Sequence, residues 1–168
     1  MNYAEIKPCD IANGIGVRVS IFVSGCTHHC KGCFNEITWD FNYGKKFTVN
    51  TISNISELLN KSYISGLSIL GGEPFEYKNQ ASVNQLVQAV KSTFPKKDIW
   101  IYTGYSWEDN ILQTPLSQSI LHKIDVLVDG EFIESLKDIS LKFCGSSNQR
   151  IIDVRKSIGS NKVMLYNI

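Results

Sequence analysis

Charge of one sign is missing from this chain. Its 17 basic and 16 acidic residues leave a net charge of +1, which gives no electrostatic case for a nucleic-acid partner or an anionic membrane surface. Long apolar runs are missing too. No stretch approaches the roughly eighteen residues of a membrane span. The first residues, Met1-Asn2-Tyr3-Ala4-Glu5-Ile6-Lys7-Pro8, lack the basic segment and apolar core of a secretory signal. A soluble cytoplasmic protein is therefore the expectation. There is no linker, repeat or low-complexity tract, and 168 residues, 43% of them hydrophobic, suit one domain over 1–168 with an ordinary core.

Cysteine is scarce but unevenly spread. Of the five, Cys26, Cys30 and Cys33 fall within eight residues, while Cys9 and Cys144 stand apart. An odd, clustered set is not a disulfide framework, and it points to metal ligation. Cys9 and Cys144 read as free thiols outside the cluster.

Apolar runs alternate with helical spacing. Val17–Val23, Gly66–Leu70, Asp98–Tyr102 and Ile124–Val128 read as strands, with weaker ones over Arg150–Val154 and Lys162–Tyr166. Helical periodicity marks Thr51–Ser62 and Gln80–Thr93. A further helix is predicted between Trp107 and His122, broken near Pro115. Alternation of this kind implies right-handed βαβ units. A full eight-unit barrel takes about 250 residues, more than this chain has. The prediction is an α/β fold: a partial (βα) barrel or curved, mostly parallel sheet of about five or six strands with flanking helices. Its site should lie at the C-terminal strand ends.

Two such ends carry chemistry. The first is Cys26-Thr27-His28-His29-Cys30-Lys31-Gly32-Cys33-Phe34, a C-x3-C-x2-C spacing directly after a strand. Three thiolates on one loop can hold three irons of a [4Fe–4S] cluster, where most such clusters take four. The fourth iron then stays open to a chelating amino acid. Zinc is the alternative, with His28 or His29 completing a Cys3His set. The second is Leu70-Gly71-Gly72-Glu73-Pro74. Its glycines allow close backbone approach to a ligand, and Glu73 offers an acceptor for an ammonium group. Thr103-Gly104 and Asp129-Gly130 end the next two strands.

The cysteine spacing with its following aromatic, together with Gly-Gly-Glu-Pro, resembles the radical S-adenosylmethionine superfamily. The resemblance implies that Cys26, Cys30 and Cys33 ligate the cluster, that Phe34 touches adenine, and that Gly71, Gly72 and Glu73 receive the methionine amine. It places Thr103 and Asp129 near the methionyl carboxylate. Within the superfamily, Asn13-Gly14-Ile15-Gly16-Val17-Arg18 and Gly145-Ser146-Ser147-Asn148-Gln149-Arg150 are similar to stretches of the activating proteins of anaerobic ribonucleoside-triphosphate reductase. Ile15 stands where that family usually has proline. The likeness implies S-adenosylmethionine cleavage and a glycyl radical formed on the large reductase subunit. It also implies a low-potential electron donor such as flavodoxin. Asn148 and Arg150 are candidates for holding the cofactor or meeting the partner. Other readings are a formate-lyase-type activase, a deazapurine-forming radical enzyme, or a non-catalytic zinc-binding module.

Overall fold

A computed structural model describes all residues, 1–168. Seven strands form one open sheet in the order β3-β1-β2-β4-β5-β6-β7. They are β1 (Asn2–Asp10), β2 (Val17–Ser24), β3 (Lys45–Lys46), β4 (Ile64–Gly71), β5 (Asp98–Tyr102), β6 (Val126–Asp129) and β7 (Arg150–Asp153). The middle four, β2-β4-β5-β6, run parallel. The flanking strands β1, β3 and β7 are antiparallel to their neighbours. The helices are α1 (Val49–Leu59), α2 (Tyr77–Thr93), α3 (Pro115–Leu121) and α4 (Val154–Ser160). None is long and apolar enough to cross a membrane.

Strand alternation divides the sheet into two faces. Val19, Ile21, Val23, Leu67, Ile69, Ile99, Ile101, Leu127 and Ile152 join Ile55 and Leu59 of α1, Val83, Leu86, Val87 and Val90 of α2 and Ile120 and Leu121 of α3 in one large core cluster. The other face carries no helical layer. There Trp100, Val126 and Val128 meet Phe143, Cys144 and Tyr166 from loops and the C-terminal segment. Local chemistry sets the element ends. Pro115 opens α3 while Thr114 Oγ1 accepts from the Ser117 N–H at 3.3 Å. Asp153 caps α4, accepting from the Lys156 N–H at 3.0 Å.

The parallel core and its crossover helices are as the periodicity predicts. The strand count is seven rather than five or six. The strand β1 is covered by β3 only at Asn2 and Tyr3; the rest of it is an open edge, largely exposed or half-buried, and carries Pro8, a residue that sheets tolerate at edges. It therefore shows little apolar alternation, and β3 is only two residues long. The predicted strand over Lys162–Tyr166 reduces to a single bridge between Leu165 and Ile152. The predicted helix over Trp107–His122 is a 3-10 turn, Asn110–Gln113, followed by α3.

Arg18, at the start of β2, is fully buried on the face without helices. Its guanidinium donates to Ser68 Oγ (2.7 Å), the Ile15 and Leu67 carbonyls (3.1 and 2.9 Å) and Asp98 Oδ1 (2.7 Å). It also lies 5.4 Å from the Trp100 ring. Gly14 sits so close that a Cβ there would stand 2.9 Å from the Arg18 side chain. The Asn13-Gly14-Ile15-Gly16-Val17-Arg18 stretch is thus a folded clamp over the sheet.

Candidate active site

The C-terminal ends of β2, β4 and β5 open into a cavity of about 520 Å³. Cys26, Cys30, Cys33, Phe34, Gly71, Gly72, Glu73, Thr103 and Gly104 all line it, whereas Asp129, Asn148 and Arg150 do not.

The cysteine loop leaves β2 through Gly25, whose φ is +99° and whose Cβ would strike the Phe41 ring. The Cys33 N–H closes a turn onto the Cys30 carbonyl at 3.1 Å, and Gly32 takes φ +73°. Cys26 is buried, whereas Cys30 and Cys33 are half-buried. The Asn35 N–H donates to Cys33 Sγ at 3.4 Å. Burial pushes the Cys26 thiol up to about 12 and the Cys30 thiol up to about 11. A cationic metal centre reverses that preference, because its charge draws the protons off. Three thiols on one cavity wall therefore fit a group that brings several positive metal ions with it.

No set of three or more His, Cys, Asp and Glu side chains, the three thiols included, is spaced to hold a single metal ion. Both loop histidines are engaged elsewhere. His29 stacks on Trp39 with centroids 4.5 Å apart. His28 stands 3.2 Å from Glu73 Oε2 and packs on Tyr105 at 4.4 Å. With only 14% of its side chain exposed, His28 is not the solvent-facing loop residue its setting in sequence suggests. Its pKa is raised; burial disfavours the charged ring, but the Glu73 carboxylate outweighs it.

Glu73 is almost wholly buried. Oε1 accepts from the Phe75 N–H and from Thr103 Oγ1, both at 2.8 Å. Oε2 accepts from the Gly104 N–H at 2.8 Å and faces His28. Other bonds stitch this loop to the cysteine loop. The Gly72 N–H donates to the Val23 carbonyl (2.7 Å) and the Glu73 N–H to the Gly25 carbonyl (2.8 Å). Asn79 Nδ2 donates to the Ser24 and Glu73 carbonyls (3.0 and 2.9 Å). Glu76 Oε1 accepts from the Thr27 N–H and hydroxyl (2.8 and 2.5 Å). Sequence reasoning missed Thr27, Glu76 and Asn79. The one available signal was a cluster of polar residues at the start of α2 on the side that turned out to be buried.

Phe34 is 84% exposed. It packs into no core and stands at the cavity rim, free to meet a ligand. Asp129 departs from expectation. It lines a second, wholly polar cavity of about 600 Å³ with Glu108, Asn148 and Arg150, which shares His28, Gly104 and Gly130 with the first. Its carboxylate accepts from the Trp107 N–H (2.8 Å) and from Arg150 Nε and Nη2 (3.0 and 2.5 Å). It does not line the cysteine cavity.

The late Gly145–Arg150 stretch ties down the loop that walls the cavity. Gln149 Oε1 accepts from the Gly145 N–H (2.7 Å), and its Nε2 donates to the Gly130 carbonyl (2.8 Å). Asn148 holds the Glu131 carbonyl at 2.8 Å, and Arg150 also reaches Glu108. Asn148 and Arg150 lie outside the cysteine cavity. Cys144 lines it, and Cys9 is exposed near Tyr63; all five cysteines are free.

An open parallel sheet whose strand ends present three clustered thiols defines a small single-cluster iron–sulfur domain, and residues 12–152 match the family model described as a 4Fe-4S single cluster domain. The curated relatives sharpen this. The chain is 45% identical to the anaerobic ribonucleoside-triphosphate reductase-activating protein of Enterobacteria phage T4 over 90% of its length and 93% of the relative's. Identity is 44% to the protein of the same description from Vibrio cholerae serotype O1, covering 90% and 97% of the two chains. It is 42% to that of Escherichia coli K12, covering 92% and 100%. The chain belongs to the family of anaerobic ribonucleoside-triphosphate reductase-activating proteins.

Proposed function

We propose that this protein is a radical S-adenosylmethionine activase that forms a glycyl radical on the large subunit of anaerobic ribonucleoside-triphosphate reductase. The observation that carries this reading is that the three thiols of one short loop line the same cavity as Gly71 and Gly72. Cys26, Cys30 and Cys33 hold a [4Fe–4S] cluster, leaving one iron open. When bound, the cluster and S-adenosylmethionine together supply one-electron cleavage of the sulfonium C5′–S bond and abstraction of a hydrogen atom from a partner glycine Cα.

The chain's own residues bind, orient and shield. Gly71 and Gly72 let backbone run close to the methionyl part, since neither has a side chain to fill the space. Phe34 offers its face to adenine from the rim. Thr103 helps to fix that end of the cavity through Glu73. The apolar wall of Phe132, Leu141 and Phe143 keeps water from the reacting carbon. The cavity at the strand ends of the open sheet admits a loop of a protein partner. A low-potential donor of the flavodoxin type delivers the electron.

The experiment is anaerobic reconstitution with iron and sulfide, then mixing with the reductase, S-adenosylmethionine and reductant. A glycyl-radical signal on the reductase supports the reading. Cofactor cleavage without such a signal would reassign the substrate, and a protein that takes up zinc but no iron would overturn the proposal.

A further inference from the structure

We propose that Glu73 is a positioning residue that locks three loops around the cavity, and that it is not the acceptor for the cofactor's ammonium group. The inference deepens the functional reading above and rests on it for the identity of the ligand. A carboxylate offers about four lone-pair directions. All four are taken here: by the Phe75 N–H and Thr103 hydroxyl on Oε1, and by the Gly104 N–H and His28 ring on Oε2.

The four donors come from three parts of the site. Phe75 begins the turn into α2, Thr103 and Gly104 end β5, and His28 lies between the cluster thiols. Gly104 makes the arrangement possible, because a Cβ there would stand 2.7 Å from the His28 ring. Bonds from Thr27 to the Glu76 carboxylate and from Asn79 to the Ser24 carbonyl fasten the cysteine loop and the start of α2 independently. Glu73 thus sits at the centre of a brace that sets where the thiols stand relative to the β4 and β5 ends. An incoming ammonium would have to displace one of its four partners.

The test uses Glu73→Gln. Whichever way the amide is turned, its NH2 faces a backbone N–H, of Phe75 or of Gly104. The brace therefore predicts that melting of the metal-free protein falls by roughly 6–12 °C. A shift under about 2 °C would overturn the proposal, since an acceptor waiting for a ligand stabilises nothing when the ligand is absent. In iron-loaded protein the variant retains at most about half the iron per chain, and the reduced-cluster spin signal broadens. Unchanged iron content and line shape would count against the brace.

The ammonium is tested separately, by anaerobic titration with S-adenosylhomocysteine and with its analogue lacking the α-amino group. The ratio of the two affinities stays within about twofold of wild type if Glu73 does not touch the amine, and falls to near one if it does. If E73Q does not accumulate folded, Thr103→Val removes one strut, with an expected melting loss of roughly 2–6 °C and the same unchanged ratio. Failure of either nucleoside to bind wild type would sink the functional reading, while the metal-free melting data would still judge the brace.

Discussion

Arg18 and Asp98 meet at 2.7 Å across 80 residues of sequence. The arginine is fully buried and the aspartate 35% exposed, so the ion pair is only one part of what holds Arg18. Ser68 and the Ile15 and Leu67 carbonyls take its remaining N–H groups.

Removing that guanidinium strands several buried acceptors at once. Arg18→Ala is expected to cost roughly 3–5 kcal/mol, which lowers the melting temperature by roughly 6–20 °C in a domain of this size. Arg18→Lys should recover less than half, because one ammonium cannot span four acceptors. Urea or thermal denaturation of the metal-free protein checks both.

Cys30→Ala should abolish cluster assembly, read as loss of iron per chain and of the brown chromophore after anaerobic reconstitution. Cys9→Ser and Cys144→Ser should retain both. Full iron content in the Cys30 variant would remove Cys30 from the ligand set.

Phe34 makes a cleaner probe of the nucleoside end. Because it is exposed, Phe34→Ala should leave stability within about 0.5 kcal/mol. Loss of an aromatic stack worth about 0.5–1.5 kcal/mol should weaken S-adenosylhomocysteine binding roughly 2- to 10-fold in a titration of iron-loaded protein. Unaltered affinity would place adenine elsewhere.

Asp10 predicts an acid limb to stability. Burial opposes its ionisation, but hydrogen bonds from the Asn13 amide and the Ala12 N–H prevail and hold the carboxyl below its usual value. A carboxyl depressed in the folded state stabilises above its unfolded pKa of about 3.9, and that contribution is lost as pH falls through the lower folded value. Asp10→Asn should therefore melt lower than wild type near neutrality, with the gap closing below about pH 4. A gap that stays constant from pH 6 to pH 2.5 would contradict this assignment.

Much of this was legible in the residues. The parallel core announced itself because each strand buries one face in the large cluster, and the cysteine and glycine loops fall where such sheets keep their chemistry. What escaped had physical reasons. The strand β1 is open on one side beyond Tyr3 and has little apolar alternation. The role of His28 depends on Glu73, 45 residues away, and no local pattern encodes that contact. Asp129 ends the correct strand, but its orientation is decided by Arg150, 21 residues on. Arg18 stood out only through a motif, whose use as a clamp on Ser68 and Asp98 becomes visible only once the strands are side by side.

The absence of helices from one side of the sheet has an evolutionary corollary. Over Trp100 and Val128 the cover is irregular chain, pinned by Gln149 at Gly130 and Gly145. Irregular cover tolerates insertion and deletion far better than packed layers do. Lengthening or trimming the segment between those two pins would reshape the entrance while the thiols and the large core stay as they are. An architecture of this kind can acquire new clients by editing its lid, with its electron-transfer centre left untouched.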